Sequence, residues 1–139
     1  MKIMAKLPFL ALLLAFSLPV FGCGMGEKTA DGYENVSVVH AHKHWSQGDK
    51  SPIPFVMLDV RTPEEFYEGH VPGATLIPVQ ELEQRLSEVP RDRQVYVYCR
   101  SGVRSVKASR ILAGAGFTHI ENVEGGIMAW QAAGYPTEQ

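Results

Sequence analysis

The sequence predicts an α/β fold in which helices flank a parallel β-sheet. Residues 55–58 are a continuous apolar run, which is typical of a strand covered on both faces. Residues 95–98 are rich in β-forming side chains and precede a helical spacing of apolar residues. Strands and helices alternate along the rest of the chain, as expected for a parallel sheet. The 139 residues are enough for one domain with one core.

The first predicted strand and helix lie near the start of this domain. Residues 36–39 have the composition of a strand. His40 and His44 could share one face of a short helix that follows, and we expect this helix to end near Gln47. A metal site is conceivable there, but the cluster contains no cysteine or acidic ligand. We therefore expect a solvated helix start and no metal ion.

The middle of the chain contains the clearest helix start. Thr62 is a favourable N-cap, and Pro63 suits the first helical position. Glu65 completes a capping box with Thr62. Gly69 ends this short helix, and residues 70–73 predict a turn.

The second half of the domain continues the alternation. Residues 75–77 predict a short strand, and residues 79–89 predict an amphipathic helix. Residues 119–123 predict the last strand. A final helix follows, in which we expect Ile127 and Trp130 to pack inward.

A cysteine follows the strand predicted at residues 95–98, at the point where a tight loop leads into a helix. Cys99 ends the strand, and the helical pattern starts at Ser105. In an open α/β sheet, ligands bind at the carboxyl ends of the strands. The first amides of a helix lack intrahelical partners and carry the positive end of the dipole, so this loop favours an anion.

Three further loop residues favour an anionic sulfur. Gly102 permits positive φ, so the loop can curl and aim its amides inward. Arg100 and Arg104 add positive charge, and such surroundings can lower a cysteine pKa from ~8.5 to roughly 3.5–7.5. We therefore interpret Cys99 as a nucleophile held as a thiolate. The alternative is an inert buried cysteine, for which two arginines and two serines would be unusual neighbours.

The N-terminus predicts export. Lys2 and Lys6 precede an uncharged, almost wholly apolar run at residues 7–21. This run is shorter than the ~20 residues that a membrane span needs, and it has the pattern of a secretory signal. It ends at Cys23 in a segment that resembles a bacterial lipobox.

The lipobox resemblance implies three segments. Residues 1–22 would be a lipoprotein-type signal peptide, residues 23–33 a flexible tether that starts at lipidated Cys23, and residues 34–139 the folded domain. We expect this domain on the periplasmic side of the cell envelope, held to a membrane by the lipid. The alternative is a plain signal peptide, with Cys23 removed or left free and a soluble periplasmic protein as the product.

Charge and cysteine content narrow the function classes. Without residues 1–22, the chain has 117 residues and a formal charge of −4, because two lysines and no acidic residues are lost. A mildly acidic domain argues against nucleic acid as a partner. A basic pocket in such a domain would select small anions. If Cys23 carries lipid, Cys99 has the single free thiol of the mature chain, and no internal disulfide can form.

Four motifs follow one another along the chain: Asp59, Val60, Arg61 with Thr62, Pro63, Glu64, Glu65, Phe66; then Gly69, His70, Val71, Pro72, Gly73, Ala74; then Cys99, Arg100, Ser101, Gly102, Val103, Arg104, Ser105; then Glu124, Gly125, Gly126 with Ala129, Trp130. In this order the motifs resemble the rhodanese family, and the resemblance covers roughly residues 34–137. One departure is Leu76, where many relatives have Asn.

The resemblance implies a five-stranded parallel sheet with helices on both faces, and sulfurtransferase chemistry without a cofactor. Cys99 would take a sulfane sulfur from a small anionic donor such as thiosulfate and pass it to cyanide or a thiol. The donor and the persulfide would be bound by the loop residues Arg100, Ser101, Gly102, Val103 and Arg104. Asp59 and Arg61 would form a structural ion pair.

Two other function classes share this loop chemistry. Cysteine-based phosphatases and arsenate reductases place five residues between Cys and Arg, whereas four separate Cys99 from Arg104. Tyr98 also stands where those enzymes have His. We therefore expect a loop too tight for a tetrahedral phosphate. A non-turnover sulfur carrier or protein-binding module would use the same loop, with a redox or sulfur-accepting protein as its partner.

Overall fold

A computed structural model describes residues 26–139 as a β-sheet flanked by helices. The strands are β1 (Glu27–Lys28), β2 (Glu34–Val36), β3 (Phe55–Asp59), β4 (Thr75–Leu76), β5 (Gln94–Tyr98) and β6 (Ile120–Val123). The α-helices are α1 (Val38–Trp45), α2 (Pro63–Glu68), α3 (Val103–Gly114) and α4 (Gly126–Ala132). Three short 3-10 helices are Gly48–Lys50, Leu82–Gln84 and Leu86–Glu88.

The sheet confirms the predicted parallel core and adds one strand at its edge. The strand order is β1–β2–β6–β5–β3–β4, and the five strands from β2 to β4 are parallel. The additional strand, β1, pairs antiparallel with β2 and lies inside the segment predicted as a tether. The signal peptide predicted at residues 1–22 and the lipidated Cys23 lie outside the described residues.

Two hydrophobic clusters cover the two faces of the sheet. Alternate side chains of β5 point to opposite faces, because a strand has a period of two residues. Val95 and Val97 join Ala108 and Leu112 of α3 in one cluster. The other cluster contains Tyr96 and Tyr98 of β5. It also contains buried residues of α1 and α4, among them Ala41, Ile127 and Trp130, so the inward packing predicted for the last helix is confirmed.

The strand predicted at residues 36–39 is wrong beyond its first residue. The strand ends at Val36, and Ser37 takes extended backbone angles and caps α1, because its hydroxyl accepts a hydrogen bond from the N–H of His40 at 3.2 Å. A serine in this position stabilises a helix start more than a strand continuation.

The amphipathic helix predicted at residues 79–89 is also wrong. Two 3-10 turns replace it, since Arg85 between them has φ −120° and ψ 19°, which interrupts helical geometry. The apolar positions Val79, Leu82 and Val89 are nevertheless buried as expected. Burial therefore follows the hydrophobic pattern even though the hydrogen bonding of an α-helix does not form.

The solvated position expected for His40 and His44 is not observed. Both side chains lie on the face of α1 that covers the sheet. His40 Nε2 lies 3.2 Å from the Glu121 carboxylate of β6, and His44 Nδ1 lies 2.6 Å from the Tyr96 hydroxyl. Across residues 26–139, no group of three or more His, Cys, Asp and Glu side chains is arranged to hold a metal ion. No helix in that range is long and apolar enough to span a membrane.

Candidate active site

Cys99 lies directly after β5, at the carboxyl edge of the parallel sheet. The chain then turns through Gly102, whose φ of +116° is in the left-handed region that favours glycine. α3 begins at Val103, so three residues, Arg100, Ser101 and Gly102, separate the thiol from the first residue of this helix. The sequence-based position of the thiol, between a strand end and a helix start, is thus confirmed.

The sulfur of Cys99 is buried and surrounded by hydrogen-bond donors. Only 1% of Cys99 is exposed, and the N–H of Gly102 donates to the sulfur at 3.1 Å. The Ser105 hydroxyl lies 3.5 Å from the sulfur and 3.1 Å from the carbonyl oxygen of Gly102. In the thiol form the S–H donates to Ser105. In the thiolate form the Ser105 hydroxyl can turn and donate to the sulfur instead.

These contacts favour the thiolate. Burial raises the pKa of Cys99, but hydrogen bonds from the Ser105 hydroxyl and from backbone N–H groups of the loop outweigh it. The pKa of Cys99 therefore lies below the usual value of a cysteine. A thiolate is the nucleophilic form of cysteine, so the loop increases the fraction of Cys99 that is in its nucleophilic form.

The first turn of α4 fixes the conformation of the loop through two backbone hydrogen bonds. The N–H of Ile127 donates to the carbonyl oxygen of Cys99 at 2.9 Å, and the N–H of Met128 donates to that of Arg100 at 3.2 Å. With these two carbonyls turned toward α4, the loop amides remain available to the sulfur. Gly126 makes this approach possible, because a Cβ at this position would collide with the carbonyl oxygen of Cys99.

The two loop arginines have different surroundings. Arg104 donates to both carboxylate oxygens of Glu65, with Nη1–Oε2 at 2.6 Å and Nη2–Oε1 at 2.8 Å. The Arg104 guanidinium lowers the pKa of Glu65 to about 2, against an opposing effect of burial. Arg100 is exposed and forms no ion pair with any residue in the described range. Arg104 is thus bound by a carboxylate, and Arg100 faces solvent.

A cleft of about 720 Å³ lies beside the loop. Ser101, Gly102 and Val103 form its wall on the loop side, and Lys107 of α3 and Glu124 lie farther along it. Val103 is 79% exposed, so an apolar side chain faces solvent next to the thiol. The cleft offers space for a second molecule beside the loop, although Cys99 itself is buried and does not line the cleft.

Asp59 and Arg61 form the ion pair that the sequence predicts at this edge. Arg61 donates to both carboxylate oxygens of Asp59 at 2.7–3.1 Å, and its Nη2 also donates to the carbonyl oxygen of Gly69 at 2.8 Å. The two side chains are buried, at 0% and 5% exposure. They connect the end of β3 to the end of α2.

Sequence reasoning missed three contributors to the site. The sequence pattern places Ser105 at a helix start, whereas in the structure its hydroxyl also lies next to the sulfur. The pattern places Glu65 only in the capping box, whereas in the structure it also binds Arg104. From the sequence, Gly126 is only part of a family motif, whereas in the structure its lack of a side chain lets α4 approach the carbonyl oxygen of Cys99. The signal for Ser105 and Gly126 was their place in two of the family motifs, whereas nothing in the local sequence points from Glu65 to a residue 39 positions later.

This strand–loop–helix arrangement around a buried thiol is the arrangement of a rhodanese-like domain, and the chain belongs to that family. The sequence profile of the rhodanese-like domain matches residues 30–133.

Individual relatives agree with this assignment. A protein named sulfurtransferase from Allochromatium vinosum is 42% identical over 81 residues, which are 58% of this chain and 76% of that protein. The thiosulfate sulfurtransferase PspE of Escherichia coli is 36% identical over 124 residues, which are 88% of this chain and 89% of that protein. A crystal structure of a rhodanese-related protein from Thermoplasma volcanium superposes with a TM-score of 0.66 at 30% identity, covering 75% of this chain and 96% of that one.

Proposed function

We propose that the protein is a sulfurtransferase that moves a sulfane sulfur from an anionic donor, such as thiosulfate, to a thiol or cyanide through a persulfide on Cys99. The observation that carries this proposal is a buried thiol at the carboxyl edge of the sheet that accepts a hydrogen bond from the N–H of Gly102. These surroundings lower the pKa of Cys99. The resemblance to proteins named sulfurtransferases supports the same reaction class.

The first half-reaction is nucleophilic attack on sulfur. The Cys99 thiolate attacks the outer sulfur of thiosulfate, a new S–S bond forms, and the bond between the outer sulfur and the sulfonate group breaks. Sulfite leaves with the electron pair of that bond, and Cys99 becomes a persulfide anion. The loop amides would stabilise the terminal sulfur of this persulfide, since they already point at the buried sulfur.

The second half-reaction returns the enzyme to its starting state. The acceptor, cyanide or a thiolate, attacks the terminal sulfur and takes it as thiocyanate or as a new persulfide. The S–S bond to Cys99 breaks, and the cysteine keeps the electron pair as a thiolate. The cleft beside the loop would give a thiol acceptor room to approach.

Replacement of the nucleophile tests this mechanism. We expect Cys99→Ser to abolish thiosulfate:cyanide transfer and persulfide formation while the fold survives, because backbone groups supply most of the cradle. Thiocyanate formation measures turnover, and intact mass spectrometry after thiosulfate treatment detects one added sulfur atom. Cys23→Ser, which removes the other cysteine, is the matched control and should keep wild-type turnover. Transfer at the wild-type rate in Cys99→Ser would exclude Cys99 as the nucleophile.

The same assay distinguishes a catalyst with multiple turnovers from a sulfur carrier that is loaded once. A sulfur carrier that works only with a partner protein would take up one sulfur per chain and release no thiocyanate beyond that amount. A catalyst would form thiocyanate in large excess over protein. We expect the second outcome.

We also propose that the domain is exported and anchored by lipid on Cys23, on the periplasmic side of the cell envelope. The support is the charge and apolar pattern of residues 1–22 and the lipobox-like residues before Cys23. Intact mass spectrometry of the protein from membranes of the producing cell should show a diacylglycerol-modified Cys23 as the first residue. An unmodified chain that retains residues 1–22 would contradict this proposal.

A further inference from the structure

A carboxylate lies beside the proposed donor site and is held there by several contacts. Glu65 binds Arg104, which lies in the first turn of α3, through two hydrogen bonds of 2.6 and 2.8 Å. The two side chains are 24% and 30% exposed, so the pair is neither fully buried nor fully solvated. The charge of Glu65 is thus placed at the rim of the site.

The backbone of α2 fixes the Glu65 carboxylate. The N–H of Thr62 donates to Oε2 at 3.0 Å, and the Thr62 hydroxyl donates to the same oxygen at 3.1 Å. In return, the N–H of Glu65 donates to the Thr62 hydroxyl at 3.3 Å, which completes the capping box. A donor molecule that drew Arg104 toward itself would break both hydrogen bonds between Arg104 and Glu65.

The formal charge of the loop is therefore lower than its two arginines suggest. Glu65 compensates Arg104, and Arg100 remains as the loop cation without an ion pair among residues 26–139. A dianion such as thiosulfate, bound at the Cys99 loop, would meet one uncompensated arginine and also the carboxylate that is held on Arg104, a residue within Coulomb range of Cys99. A monoanion would meet the same arginine with less repulsion from Glu65.

We propose that Glu65 is a specificity-determining residue that biases the site toward sulfane-sulfur donors with one negative charge, namely thiosulfonates and persulfides, relative to dianionic thiosulfate. This inference rests on the proposed sulfurtransferase function. It assigns to Glu65 a role in donor choice, in addition to its role in the capping box.

A thiosulfonate transfers its terminal sulfur to Cys99 by the same type of substitution as thiosulfate. The Cys99 thiolate attacks the terminal sulfur, the bond from that sulfur to the sulfonyl sulfur breaks, and a sulfinate leaves with the electron pair. Benzenethiosulfonate and thiosulfate therefore deliver the same sulfur atom and differ by one unit of charge. The ratio of their kcat/KM values reports the charge preference of the site.

Glu65→Gln removes the charge and keeps a side-chain oxygen for the contacts to Thr62. We expect the ratio of kcat/KM for thiosulfate to that for benzenethiosulfonate to rise about five- to tenfold, mainly through a lower KM for thiosulfate. Glu64→Gln is the matched control, because Glu64 is exposed, lies one residue away and forms no ion pair within the described part of the chain. It changes the net charge equally and should leave the ratio within about twofold of wild type. An unchanged ratio in Glu65→Gln would overturn the inference.

Arg104 variants provide a second test, and the single variant Arg104→Gln leaves Glu65 itself unchanged. Arg104→Gln leaves the charge of Glu65 uncompensated, so the ratio should fall below that of wild type. In the double variant Glu65→Gln with Arg104→Gln, the local net charge equals that of wild type, and the ratio should return to near the wild-type value. If Arg104 instead bound the donor directly, the double variant would discriminate against thiosulfate as strongly as Arg104→Gln does, and the inference would fail.

These outcomes are distinguishable from failure of the proposed function. If neither donor turned over in the wild-type protein, and neither produced a Cys99 persulfide by mass spectrometry, the sulfurtransferase proposal itself would be wrong. If both donors turned over with a ratio insensitive to Glu65, only the charge-selection inference would be wrong.

Discussion

Two arginine–carboxylate pairs lie at the carboxyl edge of the sheet, and they differ chiefly in their access to solvent. Asp59 and Arg61 are at most 5% exposed and meet at 2.7 Å, with a further hydrogen bond from Arg61 to a backbone carbonyl. Glu65 and Arg104 meet at 2.6 Å but are 24% and 30% exposed. The two pairs thus have similar hydrogen-bond distances but differ in the dielectric of their surroundings.

The difference in burial assigns different roles to the two pairs. A buried pair depends on its partner to offset the loss of hydration, so neither charge can change partners without a large penalty. A half-exposed pair is screened by water and contributes little to stability, but its charges act on any ion that binds beside it. The pair of Asp59 and Arg61 therefore serves the fold, whereas the pair of Glu65 and Arg104 is placed to influence a ligand.

The largest expected effect comes from breaking the buried pair. Arg61→Met should destabilise the protein by about 3–5 kcal/mol, because it leaves the Asp59 carboxylate buried without its partner. Urea unfolding at neutral pH, followed by circular dichroism, measures this loss. It is a large part of the about 5–15 kcal/mol that stabilises a typical domain.

A double variant provides the control for this prediction. Asp59→Leu combined with Arg61→Met removes both charges and should be more stable than Arg61→Met alone. If Arg61→Met cost less free energy of unfolding than the loss of Arg104, the contrast drawn between the two pairs would be wrong.

Loss of the half-exposed pair should affect donor binding more than stability. We expect Arg104→Ala to reduce the free energy of unfolding by about 1 kcal/mol or less. The same variant should raise the KM for thiosulfate, because Glu65 then carries an uncompensated charge next to the donor. Urea unfolding and steady-state kinetics on one preparation measure both effects. An unchanged KM for thiosulfate would show that neither Arg104 nor the charge of Glu65 acts on the donor.

The contrast between the pairs also separates what the sequence could predict from what it could not. Asp59 and Arg61 are two residues apart at a strand end, so their pairing was predictable from local sequence, and so was the capping box of Thr62 and Glu65. The contact of Glu65 with Arg104 joins residues 39 positions apart. It depends on how α2 and α3 pack against the sheet, which local sequence does not determine.

The same limit applies to the active-site loop. The strand end, the thiol and the positive φ of Gly102 followed from residue types and their order. The role of Gly126 did not, because it concerns the close approach of α4 to a carbonyl 27 residues earlier in the chain. The two 3-10 turns between Leu82 and Glu88 were missed because an apolar spacing reports which side chains are buried, and does not report which hydrogen bonds the backbone forms.

The smallest expected effect is the loss of stability when Glu65, in the partly exposed pair with Arg104, is protonated in acid. The pKa of Glu65 is about 2 in the folded protein and 4.5 for an ordinary glutamate. A lowered folded-state pKa gives stability that is fully present above the unfolded value and is lost as the pH falls through the folded value. The stability advantage of wild type over Glu65→Gln should therefore be constant above about pH 5 and shrink between pH 4.5 and pH 2. Because water screens this pair, we expect a change of only about 1 kcal/mol, and urea unfolding across this pH range measures it. A carboxyl resonance of Glu65 that titrates near pH 4.5 would show that Arg104 does not hold this carboxylate in solution.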